Sequence, residues 1–430
     1  MTGIVGIALL LVLFLLKMPV AFAMTLVGVA GFAYLTGWEP ALGLLTQDIF
    51  ETFSSYPLSV IPMFILMGSF AFASGISRRL YDTTYAWVGQ FRGGLTIATV
   101  LACSGFAAIC GSTAATAATM GKIALPEMQK YNYSDMLATG TIAAAGTLGI
   151  LIPPSTILIV YGILTEESIG KLFVAGLLPG LILSLFFVAT VAIICMRNPQ
   201  LGPAGARTTW KQKIKATKGI VEAFILFVLT IGGLFLGWFS PTQAGAIGAG
   251  GALLIGLIRR QLTWKVFFES GKDGLRTSCM VMLIIMGATV FGHFMAVTMI
   301  PFILADWVSS LPIPSFAIMG VIVFIYFIGG FFMDSMALVV VTIPIFFPLV
   351  MRLGFDPIWF GVIIVLVAEM GVITPPVGVN VFVIKGIAPE IPLEVIFKGI
   401  LPFLLALILF TIILMVFPQI ATFLPSLVTY

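Results

Sequence analysis

Charge is what this chain has least of. Only 9% of its residues are Asp, Glu, Lys or Arg, against about a quarter in a soluble globular domain, so a water-exposed fold of this size is excluded. Histidine is scarcer still: the single His293 rules out a metal centre built on histidines and a His-Glu-x-x-His hydrolase. A lone histidine in apolar surroundings reads as a packed or hydrogen-bonded side chain. The four cysteines, Cys103, Cys110, Cys195 and Cys279, sit in or at the ends of apolar stretches. They have neither metal-ligand spacing nor a disulfide framework, and read as small buried residues. Alternating segments of about ten residues are missing too, which excludes a membrane β-barrel. The net charge of +4 is scattered over short connections, where it sets orientation rather than marking a nucleic-acid partner.

Apolar residues, in contrast, make up 60% of the sequence, and the mean hydropathy is +1.18. This predicts an all-α polytopic membrane protein whose immediate surroundings are lipid. The stretch from Met1 to Leu16, with Ala21-Phe22-Ala23 after it, has no Lys or Arg before its apolar run and is expected to be a retained first span rather than a signal peptide.

The chain is duplicated. Gly149-Ile150-Leu151-Ile152-Pro153-Pro154-Ser155 and Gly371-Val372-Ile373-Thr374-Pro375-Pro376-Val377 are 222 positions apart. The same offset relates Pro19 to Pro241, Gly28 to Gly250, Ser112-Thr113 to Asp334-Ser335 and Pro126 to Pro348. The expected organisation is a first repeat over 1–196, a linker over 197–218 and a second repeat over 219–430. The linker carries six basic residues, Arg197, Arg207, Lys211, Lys213, Lys215 and Lys218, which the positive-inside rule places in the cytoplasm. Corresponding loops carry opposite charge. Gly37 to Phe53 holds Glu39, Asp48 and Glu51, whereas its counterpart holds Arg259, Arg260, Lys265, Lys272 and Arg276. Arg78, Arg79 and Arg92 in turn face the stretch Val297 to Pro314, whose one charge is Asp306. That reversal predicts an inverted repeat with Met1 and Tyr430 periplasmic.

Within each repeat, two apolar segments meet at a polar tip: Leu95 to Cys110 and Ala114 to Pro126 at Gly111-Ser112-Thr113, then Ser315 to Phe332 and Met336 to Val350 at Met333-Asp334-Ser335. An arm of thirteen residues reaches only about 20 Å against a hydrocarbon core of about 30 Å, so re-entrant hairpins are expected. Lys122 and Arg352 read as helix ends whose side chains snorkel. The longer segments Met136 to Leu164 and Ile358 to Ala388 each contain Pro-Pro near the middle, where a helix must break and leave carbonyls without helical partners. Such breaks at membrane depth point to a transporter's binding site. A hard, desolvated cation needs about six oxygens. The candidate ligand sets are Ser112, Thr113, Gly146 and Gly149 in the first repeat, and Asp334, Ser335, Gly371 and Thr374 in the second. An anion is expected between the tips, at Ser112 and Thr113, and against the helix starts at Ser155, Thr156, Gly378 and Asn380. Asp334 is the sharpest single residue, since an intramembrane carboxylate is costly unless paired or bound to an ion. Glu369 either joins a cation site or pairs with a base such as Lys385.

Together, Gly111-Ser112-Thr113-Ala114-Ala115, Gly146 to Ser155, and Glu369-Met370-Gly371-Val372-Ile373-Thr374-Pro375-Pro376-Val377-Gly378-Val379-Asn380 resemble the large membrane subunit of tripartite ATP-independent periplasmic (TRAP) transporters. Pro19 to Ala23 and Pro241 to Ala244 extend the likeness over essentially the whole chain. The resemblance implies a sodium-driven importer of the elevator type in the bacterial inner membrane, carrying two or more Na+ ions. Its scaffold helices would lie at about 1–92 and 219–314, and its mobile hairpins and broken helices at about 93–196 and 315–430. It also implies a small four-helix membrane subunit, a soluble periplasmic substrate-binding protein, and a carboxylate cargo such as a sialic acid, another sugar acid or a C4-dicarboxylate. The rival from the residues alone is a one-component sodium- or proton-coupled organic anion carrier. An aspartyl hydrolase would need Asp334 and Glu369 as a dyad, and a channel would need a charged ring or repeated filter that is not visible.

Overall fold

The computed structural model describes residues 2–376 and 378–427, so Met1, Val377 and Tyr430 lie outside the described residues. Every regular element among them is helical. Seven helices are long and apolar enough to span a bilayer, and an eighth is gained if Trp38–Ser54 and Pro57–Ala73, bent by 56° at their junction, count as one span. The protein is therefore a polytopic helical membrane protein, the class in which each backbone polar group is satisfied within its own segment.

The element order repeats. Val20–Thr36 corresponds to Pro241–Ile258, and Thr113–Lys130 to Ser335–Arg352. Asp135–Gly146 with Leu148–Leu151 corresponds to Pro357–Ile373, and Thr156–Thr165 to Val379–Ile387. Helices from the two halves interleave: Trp264–Thr298 packs on Val20–Thr36, Pro241–Ile258 on Val60–Ala73, and Leu393–Val416 on Asp135–Gly146. Lipid offers little hydrophobic drive for such pairing, so close backbone approach must supply it. At the last crossing, a Cβ on either Gly140 or Gly399 would run into the other helix's backbone.

Three boundaries differ from the sequence expectation. Gly37 to Phe53 is no loop but a helix, Trp38–Ser54. Its buried Asp48 faces His293 on Trp264–Thr298 at 3.3 Å, so the lone histidine makes a polar contact across the two halves. The second arm of the first hairpin runs through Pro126 to Lys130, 18 residues, or about 27 Å. Arm length therefore no longer separates a re-entrant hairpin from a double crossing. Lys122 lies inside this helix, whereas Arg352 ends its own and pairs with Asp306. Finally, the linker becomes helical at Trp210, where Thr209 and Gln212 form a capping box. The helix docks on Ile76–Val88 through Thr83 Oγ1 donating to the Ala216 carbonyl at 2.7 Å and Trp87 Nε1 donating to Thr217 Oγ1 at 3.0 Å.

Candidate functional site

The tips are sharp because the residues there favour it. Gly111 takes the left-handed region (φ +65°) that ends Gly94–Cys110, as a C-terminal glycine does. Ser112 then caps Thr113–Lys130, its hydroxyl accepting from Ala115 N at 3.4 Å. Asp334 plays the same part for Ser335–Arg352, accepting from Met336 N at 3.1 Å. The breaks are built similarly. Both Pro153-Pro154 and Pro375-Pro376 bonds are cis, Ser155 caps Thr156–Thr165 by accepting from Leu158 N at 3.2 Å, and Gly378 opens Val379–Ile387 at φ +54°.

Small residues let tip and break touch. A Cβ on Gly111 would lie 2.5 Å from the Pro154 carbonyl oxygen, and one on Gly149 2.6 Å from the Ser112 carbonyl oxygen. On Gly146 it would lie 3.1 Å from Asn380 Nδ2 and 3.3 Å from the Thr113 carbonyl oxygen. Thr156 Oγ1 donates to the Gly111 carbonyl at 3.1 Å. In the second half, a Cβ on Gly371 would collide with the backbone of Gly330. Thr374 turns its hydroxyl back onto the Met370 carbonyl.

These elements enclose a cavity of about 380 Å³. Ser112, Thr113, Thr156, Asp334, Ser335 and Asn380 line it. Ser155, Gly378, Gly146, Gly149, Gly371 and Thr374 stand behind the lining as caps and close-packed backbone. Ser69, Phe72, Thr277 and Met280 close it from the helices opposite; nothing in the sequence singled these out, because each is an isolated residue in an ordinary apolar span. The cavity meets the first turns of four helices, Thr113–Lys130, Ser335–Arg352, Thr156–Thr165 and Val379–Ile387. Helix starts carry unpaired amides and partial positive charge.

Two polar groups are placed in ways the sequence did not show. Glu369, 3% exposed, accepts from Thr113 Oγ1 at 2.8 Å and from Ser335 Oγ at 2.9 Å, one hydroxyl from each tip. Lys385 is not its partner, since Lys385 Nζ donates to the Pro389 and Ile391 carbonyls at 2.6 and 2.8 Å. Asn380, wholly buried, donates from Nδ2 to the Ala143 carbonyl at 3.0 Å, while its Oδ1 has no partner. A buried, unpaired amide oxygen is a group a hard cation can use.

An interleaved helical membrane fold with paired tips and paired helix breaks around a shared cavity, largely apolar but edged by hydroxyls and carboxylates, has the form of a secondary transporter. The chain matches, over residues 7–420, the model of the tripartite ATP-independent periplasmic transporter, DctM component, and it belongs to that family of large TRAP permeases. It is 39% identical over 387 residues, 89% of each chain, to a C4-dicarboxylate TRAP transporter large permease protein of Pseudomonas aeruginosa. It is 31% identical over 95% of each chain to a sialic acid TRAP transporter large permease protein of Vibrio cholerae. Its fold is shared with the YdaH transporter of Alcanivorax borkumensis, with a TM-score of 0.66 over 89% of both chains at 15% identity.

Proposed function

We propose that this permease imports a carboxylate, such as a C4-dicarboxylate or a sialic or other sugar acid, across the bacterial inner membrane in symport with two or more sodium ions. The observation that carries this reading is the cavity's mixed chemistry. Four helix starts favour an anion. The described lining nevertheless contains two carboxylates, Asp334 and Glu369, and no Lys or Arg. A carboxylate entering beside those groups needs positive charge to accompany it. Sodium held by Asp334, the tip hydroxyls and Asn380 Oδ1 would supply that charge, so ion and substrate would each raise the other's affinity by the same factor.

The opposed charges of corresponding segments support an inverted arrangement of the repeats with both termini periplasmic, in which hairpins and broken helices would move against the remaining helices. Relatives named as parts of tripartite systems support a small four-helix membrane subunit and a soluble periplasmic binding protein as partners. The test is uptake of a labelled acid into liposomes containing this chain and the small subunit, under a sodium gradient. Uptake should require both sodium and the binding protein. Equal uptake without the binding protein would make the chain a one-component carrier, and sodium-independent uptake would remove the coupling.

A further inference from the structure

We propose that Glu369 is a positioning residue that fixes the polarity of both hairpin tips, so that Thr113 and Ser335 turn their oxygens, and not their protons, toward the cavity. The proposal rests on the sodium-coupled reading and names the residue that prepares the tips for the ion. While Glu369 is ionised it can only accept hydrogen bonds, and a hydroxyl has one proton to give. With Thr113 Oγ1 and Ser335 Oγ both donating to Glu369, at 2.8 and 2.9 Å, neither hydroxyl has a proton left for a substrate carboxylate. What each presents to the cavity is lone-pair density, the arrangement a cation requires and an anion avoids. The anion is then left to the backbone amides of the helix starts, and the two kinds of cargo are sorted to different atoms.

The duplication makes this arrangement specific. Thr113 and Ser335 occupy equivalent positions in the two repeats, since 335 minus 113 is the repeat offset of 222, yet a single carboxylate serves both. The position equivalent to Glu369 in the first half is Thr147, whose hydroxyl is spent on the Ala144 carbonyl at 2.6 Å. Glu369 has little freedom to let go. Its helix is pressed against the other arm where Gly371 meets Gly330, and Thr113 and Ser335 are only 7% and 2% exposed.

The test uses two variants of the full chain, Glu369→Gln and Glu369→Asp, purified with the small subunit, with thermal unfolding followed as choline is replaced by sodium at constant ionic strength. Gln matches Glu in size and removes a buried charge, so folding is expected to survive. Its amide must donate, however, which turns one tip hydroxyl's proton into the cavity. Glu369→Gln should raise the half-saturating sodium concentration roughly tenfold, the size expected for one lost charge-assisted contact. Its unfolding temperature in choline should stay close to that of the wild type. Glu369→Asp keeps an acceptor-only group and should respond to sodium more like the wild type than Gln does, although it fits the site less well. A Gln variant with an unchanged sodium curve overturns the proposal. So does the reverse order of Gln and Asp, or a loss of stability in choline with half-saturation unmoved, because each describes a purely structural tie. Absence of any sodium effect on the wild type would instead remove the sodium-coupled reading, and the proposal with it.

Discussion

Replacing Asp334 by Asn separates what this side chain does for the helix from what it would do for a sodium ion under the proposed coupling. As an N-cap it accepts from Met336 N at 3.1 Å, and Asn caps about as well as Asp, so Ser335–Arg352 should form unchanged. What disappears is one negative charge at the edge of a cavity of about 380 Å³. Two unit charges 4 Å apart interact by about 1 kcal/mol in bulk water and about 4 kcal/mol at an effective dielectric constant near 20. Asp334 is exposed to a cavity with room for water, so the loss should fall between these limits, at about 1.5–3 kcal/mol. That corresponds to a rise of roughly ten- to a hundredfold in the sodium needed for half-maximal uptake. The assay is labelled-acid uptake in liposomes with both partners present, sodium varied at constant ionic strength and reconstituted protein matched by immunoblot. Asp334→Ala should show the same sodium defect and in addition lose about 1 kcal/mol of stability, because it cannot cap. Half-saturation in Asp334→Asn within about twofold of the wild type would refute the reasoning, since an ion whose affinity ignores the charge is not bound beside it.

Three further outcomes follow from the geometry. Lys213 is packed against the Trp87 and Trp210 rings and is 8% exposed, so orientation is better probed at exposed Lys211. In a Cys279→Ser background, Lys211→Cys should resist an impermeant maleimide in intact cells and react in inverted vesicles, and labelling from the periplasm would reverse the topology. Asn380→Asp sets an acceptor against the Ala143 carbonyl where a donor now sits at 3.0 Å; thermal unfolding at neutral pH should show a loss of about 1–3 kcal/mol, and an unchanged transition would mean that this contact carries no stability. Glu222→Gln removes the partner of Arg79 and Arg259 at a half-exposed site, so it should cost no more than about 1 kcal/mol and less at high salt; unfolding measured at two salt concentrations checks both.

The parts of this site that were legible in the sequence are those whose chemistry is local. Pro-Pro interrupts a helix wherever it falls, Gly111 and Ser112 make an end and a start on their own, and Asp334 is conspicuous because nothing near it in sequence explains a charge. The parts that were not legible depend on which helices cross. Glu369 reads the same whether it pairs with Lys385 or with two hydroxyls, and the choice is made by packing that brings Thr113 from 256 positions away. Asn380 looks like any polar residue in a helix's first turn until the Ala143 carbonyl, 237 positions away, orients its amide. Boundaries failed for related reasons. Pro126 reads as a stop, yet the helix runs through it to Lys130, so tertiary packing outweighs the single hydrogen bond that proline removes. Asp48 reads as a loop charge because its partner, His293, belongs to the other half.

Under the proposed sodium-coupled reading, what the duplication kept and what it let diverge suit different cargoes. Backbone features recur at the 222 offset: the helix starts at Thr113 and Ser335, and the proline breaks at Pro153-Pro154 and Pro375-Pro376. Those features aim helix starts at the cavity, and they need only glycine, proline and a capping side chain. Beyond the tip hydroxyls of Thr113 and Ser335, three polar side chains at the same offset do not recur. Ser112, Thr147 and Leu158 in the first half stand where Asp334, Glu369 and Asn380 stand in the second. Every group that adds a negative charge or an unpaired oxygen at these positions therefore lies on the second half. An anion held by backbone amides would meet a nearly symmetric surface, whereas a cation held by side chains would meet an unequal one. The two halves can share one backbone plan and still offer ions sites of different strength, because in this site the backbone suits the anion and the side chains suit the cation.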